Sequence, residues 1–139
     1  CEGDPFFYGS FMYLFARMAE EHTVEVVPGV SSPMACAAVL GAPLAAQNDI
    51  LTILPAPLGT ELLRQRLAAT DAAAIIKLGR HLPRIRGLLD DMGLTGNARY
   101  IERATMTAEK TIPLADVDPA ATPYFSMILL HRRGQAWHR

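Results

Sequence analysis

Ala72-Ala73-Ala74-Ile75-Ile76-Lys77-Leu78-Gly79 is the stretch on which the fold class turns. The apolar run with two adjacent isoleucines reads as a strand buried on both faces, the kind found in sheets covered on each side. Gly79 breaks it. Downstream, residues 81–92 read as a substantial helix stopped by Gly93. Residues 97–103 read as a strand, 110–114 as a short one, and 124–131 as a last buried strand. Upstream, residues 50–54 read as a strand, Pro55-Ala56-Pro57 as a turn, and 61–69 as a helix that Thr60 can cap. Strands alternating with helices predict an α/β sandwich. The late strands have short connections, so a mixed sheet is expected rather than a purely parallel one.

Toward the amino end, Gly3-Asp4-Pro5 reads as a turn and residues 10–21 as a helix closed by Glu20, Glu21 and His22. Phe11, Leu14, Phe15 and Met18 recur at helical spacing and make one apolar face. The β-branched residues 23–27 predict a strand ending at Pro28-Gly29. Ser31 or Ser32 can cap the next helix, residues 34–40, with Pro33 in its first turn. Ala35, Cys36, Ala37 and Ala38 predict that this helix packs closely against something, and Gly41-Ala42-Pro43 ends it. Residues 132–139 read as a polar, loosely held tail.

The chain has 139 residues, enough for one domain, and half of them are hydrophobic. A net charge of only -1 argues against a nucleic-acid binder, which carries a basic excess. No apolar run reaches the length of a membrane span. The start, Cys1-Glu2-Gly3-Asp4-Pro5, has no basic region followed by an apolar stretch and does not read as a signal peptide. It also lacks Met and reads as the interior of a motif, so a piece of a longer protein is expected. Cys1 and Cys36 form no metal-ligand spacing, and a reduced, cytoplasmic setting suits them.

Gly3-Asp4-Pro5-Phe6-Phe7-Tyr8-Gly9-Ser10 is the densest chemical signal. Glycine lets a ligand approach the backbone, and a carboxylate beside it can accept from a ribose or an amino group. The same pattern serves a plain turn with Asp4 bonding locally. Pro28-Gly29-Val30-Ser31-Ser32 joins a strand to a helix, where α/β proteins hold ligands; an ordinary helix cap is the competing reading. Neither loop is a dinucleotide fingerprint. Lys77 can be catalytic if desolvated, or can simply reach solvent from a strand end. Arg80, His81, Arg84 and Arg86 read as a solvated helix face that could also meet acidic groups of a substrate. His22, His131 and His138 have no metal-binding spacing, so no metal site is expected. No serine or cysteine sits in a nucleophile motif.

Taken in order, these loops resemble the tetrapyrrole methylase family. The segments that match are residues 2–10, Val26-Val27-Pro28-Gly29-Val30-Ser31-Ser32, Lys77-Leu78-Gly79 and Glu102-Arg103-Ala104-Thr105. The versions Phe6-Phe7-Tyr8-Gly9-Ser10-Phe11-Met12 and Ala35-Cys36-Ala37-Ala38 are most similar to members that methylate carbon 20 of precorrin-2 in cobalamin synthesis, or of its cobalt-bearing counterpart. The resemblance runs to His131. It implies that residues 1–131 are the second domain of that fold, a mixed-sheet α/β sandwich, with the family's amino-terminal domain absent. It further implies S-adenosylmethionine as methyl donor, a tetrapyrrole acceptor and a homodimer. Gly3, Asp4 and Phe7 would then line the cofactor from the first loop and Ser31 and Ser32 from the second. Leu78, Ala104 and Thr105 would hold its adenine side. No catalytic base is assigned. Two other classes compete: a methylase of the same family with a different acceptor, and a truncated, inactive domain serving as a structural or dimerisation module.

Overall fold

β2 (Ala72–Ile76) is buried at every position. The computed structural model describes residues 3–134. There β2 lies inside a five-stranded sheet, with β1 (Leu51–Pro55) on one side and β5 (Ser126–His131) on the other. β3 (Ala98–Glu102) follows β5, and β4 (Lys110–Ile112) forms the far edge. β1 and β2 are parallel, whereas β5 runs antiparallel to both β2 and β3. The sheet is mixed, as the short late connections predict. β1, β2 and β3 therefore point the same way, and their carboxyl ends share one edge with the amino end of β5.

Alternation along the strands divides the core in two. Ala73, Ile75, Tyr100, Ile128 and Leu130 face α3 (Thr60–Ala68) and α4 (Leu82–Asp91), which contribute Leu63, Leu67, Leu82, Ile85 and Leu89. Ala74, Ile76, Ile101, Met127 and Leu129 face the other way, onto α2 (Ser32–Leu40), through Cys36, Ala37 and Val39. Small side chains on α2 let it lie close to the sheet. No helix among the described residues is long and apolar enough to cross a membrane.

Several local expectations need correction. Residues 23–27 form no strand: Val24 and Val26 are half-buried, but no described residue pairs with this backbone in a ladder. β-branched residues favour extended backbone, whereas a strand also needs a hydrogen-bonded neighbour. α1 is shorter than expected, Phe11–Met18, and none of its residues is buried. Phe11 and Phe15 instead gather around Phe6, with ring centroids 5.9 and 5.1 Å from it. Gly59, not Thr60, is the cap of α3, and the Thr60 hydroxyl accepts from Arg84.

Arg84 and Arg86 are not a solvated face. They are half-buried and donate to the carbonyls of Ala56 and Val117, which lie outside the strand ladders and need a donor from elsewhere. The start of the tail is also held. Arg132 donates Nε to Thr70 O at 2.7 Å and Nη2 to Leu67 O at 2.7 Å, closing the carboxyl end of α3. Residues 135–139 of the expected loose tail, like Cys1 and Glu2, lie outside the described residues.

Candidate functional site

The shared edge of parallel strand ends opens onto a cleft of about 860 Å³. Gly3 and Asp4, Ser32 at the head of α2, Lys77 after β2, Arg103 to Thr105 after β3, and Tyr124 and Phe125 before β5 all line it. Ligand cavities of this size are common, and strand carboxyl ends are where open α/β sheets hold them.

The first two loops are bonded to each other. Asp4 Oδ1 accepts the amide of Phe6 at 2.9 Å, closing a local turn. Its Oδ2 accepts the amide of Gly29, also at 2.9 Å. The turn and the ligand readings of Asp4 are thus compatible, since each carboxylate oxygen keeps a second lone pair. Gly3 takes φ +74°, a conformation side chains rarely adopt, and lies against the carbonyl of Val30. Ser31 occupies the cap position of α2 in extended conformation, buried, yet its side chain makes no cap hydrogen bond. Ser32 is exposed at the cleft.

The remaining expected residues divide. Phe7, Ala104 and Thr105 line the cleft. The Thr105 amide donates to Glu109 Oε2 at 2.6 Å. Leu78 has no exposed surface and packs in the core on the α3 and α4 side, so its side chain is remote from the cleft. Ser31 is also absent from the lining. Arg103, quoted in the matching segment without a role, joins the lining, and residues that motif reading did not single out fill the gaps: Met106, Tyr124 and Phe125. The aromatic pair just before the last strand was the available signal; the rings of Tyr124 and Phe125 are 5.2 Å apart, edge to face.

Backbone conformation singles out the same place. Non-glycine residues with positive φ are Tyr8, Gln47, Lys77, Arg103 and Thr105 among those described, and all but Gln47 line the cleft. Such conformations cost about 1–2 kcal/mol each and gather where function sustains them. Lys77 Nζ stands 5.2 Å from the ring centroid of Tyr8. Arg103 pairs with Glu102 at 3.5 Å, and Glu102 accepts the hydroxyl of Tyr100 at 2.9 Å. Burial, with the neighbouring Glu102, pushes the Tyr100 phenol up to about 12. Cys36, on the cleft floor, is pushed up to about 11 by burial and then by Glu109, so its thiol stays protonated at neutral pH.

Residues 1–118 match the family model of the tetrapyrrole (corrin/porphyrin) methylases. Over 129 residues the chain is 43% identical to a precorrin-2 C(20)-methyltransferase of a Sinorhizobium species, covering 93% of this chain and 53% of that protein. Identity is also 43% to the cobalamin biosynthesis protein CobIJ of Mycobacterium bovis, again over 93% of this chain but 25% of the relative. The chain thus spans about half of the one and a quarter of the other. A solved structure of uroporphyrin-III C-methyltransferase from Thermus thermophilus, complexed with S-adenosylhomocysteine, superposes with TM-score 0.62 at 24% identity, over 91% of this chain and 62% of that one. That likeness is one of fold, a mixed sheet with helices. By the family match and the identity to its relatives, the chain belongs to the tetrapyrrole methylases.

Proposed function

We propose that this chain is the second half of an enzyme that transfers a methyl group from S-adenosylmethionine to carbon 20 of precorrin-2 in cobalamin biosynthesis. The observation that carries the reading is the convergence of Gly3-Asp4, Ser32 and Ala104-Thr105 on one cleft at the strand carboxyl ends. The identity of 43% to a precorrin-2 C(20)-methyltransferase supports the acceptor. The cleft suits the donor: Gly3 and Gly29 let the two loops meet backbone to backbone beside it, Asp4 offers lone pairs to an amino group or a ribose, and α2 presents free first-turn amides. When bound, the cofactor supplies a methyl on a sulfonium, which leaves as S-adenosylhomocysteine while the acceptor carbon gains the methyl and loses a proton.

In this reading Asp4, Phe7 and Ser32 hold the donor, and Ala104 and Thr105 hold its adenine with backbone and apolar contact. Ser31 and Leu78 act behind them, Ser31 by setting the head of α2 and Leu78 by anchoring the turn after β2. No side chain of this chain is assigned as a base. Rate comes from holding donor and acceptor in line and from excluding water. An amino-terminal domain of the parent protein would supply the other wall. A cytoplasmic homodimer completes the reading; the exposed Tyr13, Val30 and Met34 are apolar surface that a second copy would cover.

The test is incubation of the full-length parent protein with S-adenosylmethionine and either precorrin-2 or its cobalt form, with product mass and carbon position read by mass spectrometry and NMR. Methylation of metal-free precorrin-2 at carbon 20 is expected. Methylation at another carbon, or binding of neither compound, would overturn it.

A further inference from the structure

Among the described residues, the charged side chains that line the cleft are Lys77, Arg103 and Asp4. Asp4 already accepts two backbone amides, and Arg103 is tied to Glu102. Lys77 is different. It is exposed, makes no ion pair among the described residues, and stands over the face of Tyr8. It also sits at φ +59°, directly after the fully buried β2. Glycine would occupy that position without strain. The left-handed residue turns the chain so that Leu78 enters the core while Lys77 stays at the cleft. An ammonium with no ion pair among the described residues, held at a strained position over an aromatic ring at the edge of a cleft, is built to receive an anion.

We propose that Lys77 is a specificity-determining residue of the cleft, its ammonium taking a carboxylate of the bound ligand while Tyr8 steadies it. This rests on the methyl-transfer reading above. That chemistry offers two sources of carboxylate: the acetate and propionate side chains around the macrocycle, and the amino-acid end of the cofactor.

The experiment compares Lys77→Gln, Lys77→Arg and Lys77→Gly with the wild type in the full-length parent protein. It measures S-adenosylhomocysteine affinity by calorimetry and steady-state kcat and KM for the tetrapyrrole. Loss of a charged hydrogen bond predicts about a tenfold or greater weakening in Lys77→Gln, with most of it recovered in Lys77→Arg. Lys77→Gly should lose binding equally while melting no lower than wild type, because the strain is relieved. A rise in tetrapyrrole KM with unchanged S-adenosylhomocysteine affinity assigns the macrocycle as the source. Weaker S-adenosylhomocysteine binding, with the carboxamide analogue bound equally by wild type and Lys77→Gln, assigns the cofactor. Lys77→Gln indistinguishable from wild type, or Lys77→Arg as impaired as Lys77→Gln, would overturn the proposal and leave the methyl-transfer reading intact. A wild-type protein that binds neither ligand overturns both.

Discussion

A Cβ on Gly29 would stand 2.3 Å from the carbonyl oxygen of Gly3. The two loops of the cleft touch backbone to backbone at that point, and the Asp4 carboxylate ties them beside it. No side chain fits between them.

Replacing Gly29 with alanine should therefore part the loops. The contact joins two loops and neither glycine belongs to the core shared by β2, α3 and α4, so the effect should fall on the site. S-adenosylhomocysteine affinity of the parent protein is expected to drop at least about tenfold, while Tm moves by less than about 5 °C, the scale of a 1 kcal/mol change. Calorimetric titration with a thermal melt checks both. Unchanged affinity would mean the loops can separate without consequence for the ligand.

Asp4→Ala removes the acceptor of two amides at once, those of Phe6 and Gly29. The exposed turn amide can turn to water, so about 1–2 kcal/mol of stability is at stake. Cofactor affinity should fall by more than that in free energy, since the same carboxylate faces the cleft. A loss of stability with affinity retained would make Asp4 a turn residue and nothing more.

Acid stability should depend on Asp49. Its carboxyl lies below the usual range, first because the Ala46 amide donates to it, and also through His131 and Arg133. Oδ2 is 2.8 Å from Ala46 N and 3.1 Å from His131 Nε2, and Oδ1 is 2.6 Å from Arg133 Nη2. A depressed folded-state pKa adds stability that is present above the unfolded value, near 3.9, and is lost as pH falls through the folded value. Melts from about pH 7 down to pH 2 should show Asp49→Asn less stable at neutrality and with a flatter acid limb. Parallel curves for the two proteins would refute this.

Arg132 forks onto the carbonyls of Leu67 and Thr70, with Ala68 O a further acceptor at 3.2 Å. Arg132→Ala should cost about 1–2 kcal/mol, read from denaturant midpoints. Arg132→Lys should not restore the wild-type midpoint, because one ammonium cannot match a planar fork. A wild-type midpoint in Arg132→Lys would reduce the role to charge at a helix end.

Much of the architecture is legible in residue order alone. The run from Ala72 to Ile76 announces burial on both faces, and the small residues of α2 announce close packing, because periodicity and side-chain volume act locally. The loops at Asp4 and at Ser31-Ser32 are legible by resemblance, and the structure brings the loops together through Gly29. Residues 23–27 show the limit. Their composition specifies extended backbone, but a ladder requires a partner strand, which composition cannot name. The same holds for Arg84, Arg86 and Arg132, which look like solvent-facing charges until distant carbonyls arrive beside them. Only the tertiary structure decided that β5 inserts between β2 and β3, which sets Lys77 and Arg103 on either side of its entrance. Left-handed backbone at those two residues is likewise invisible in their identities, since neither is glycine; it is imposed by the turn each strand must make to leave a buried sheet at the cleft.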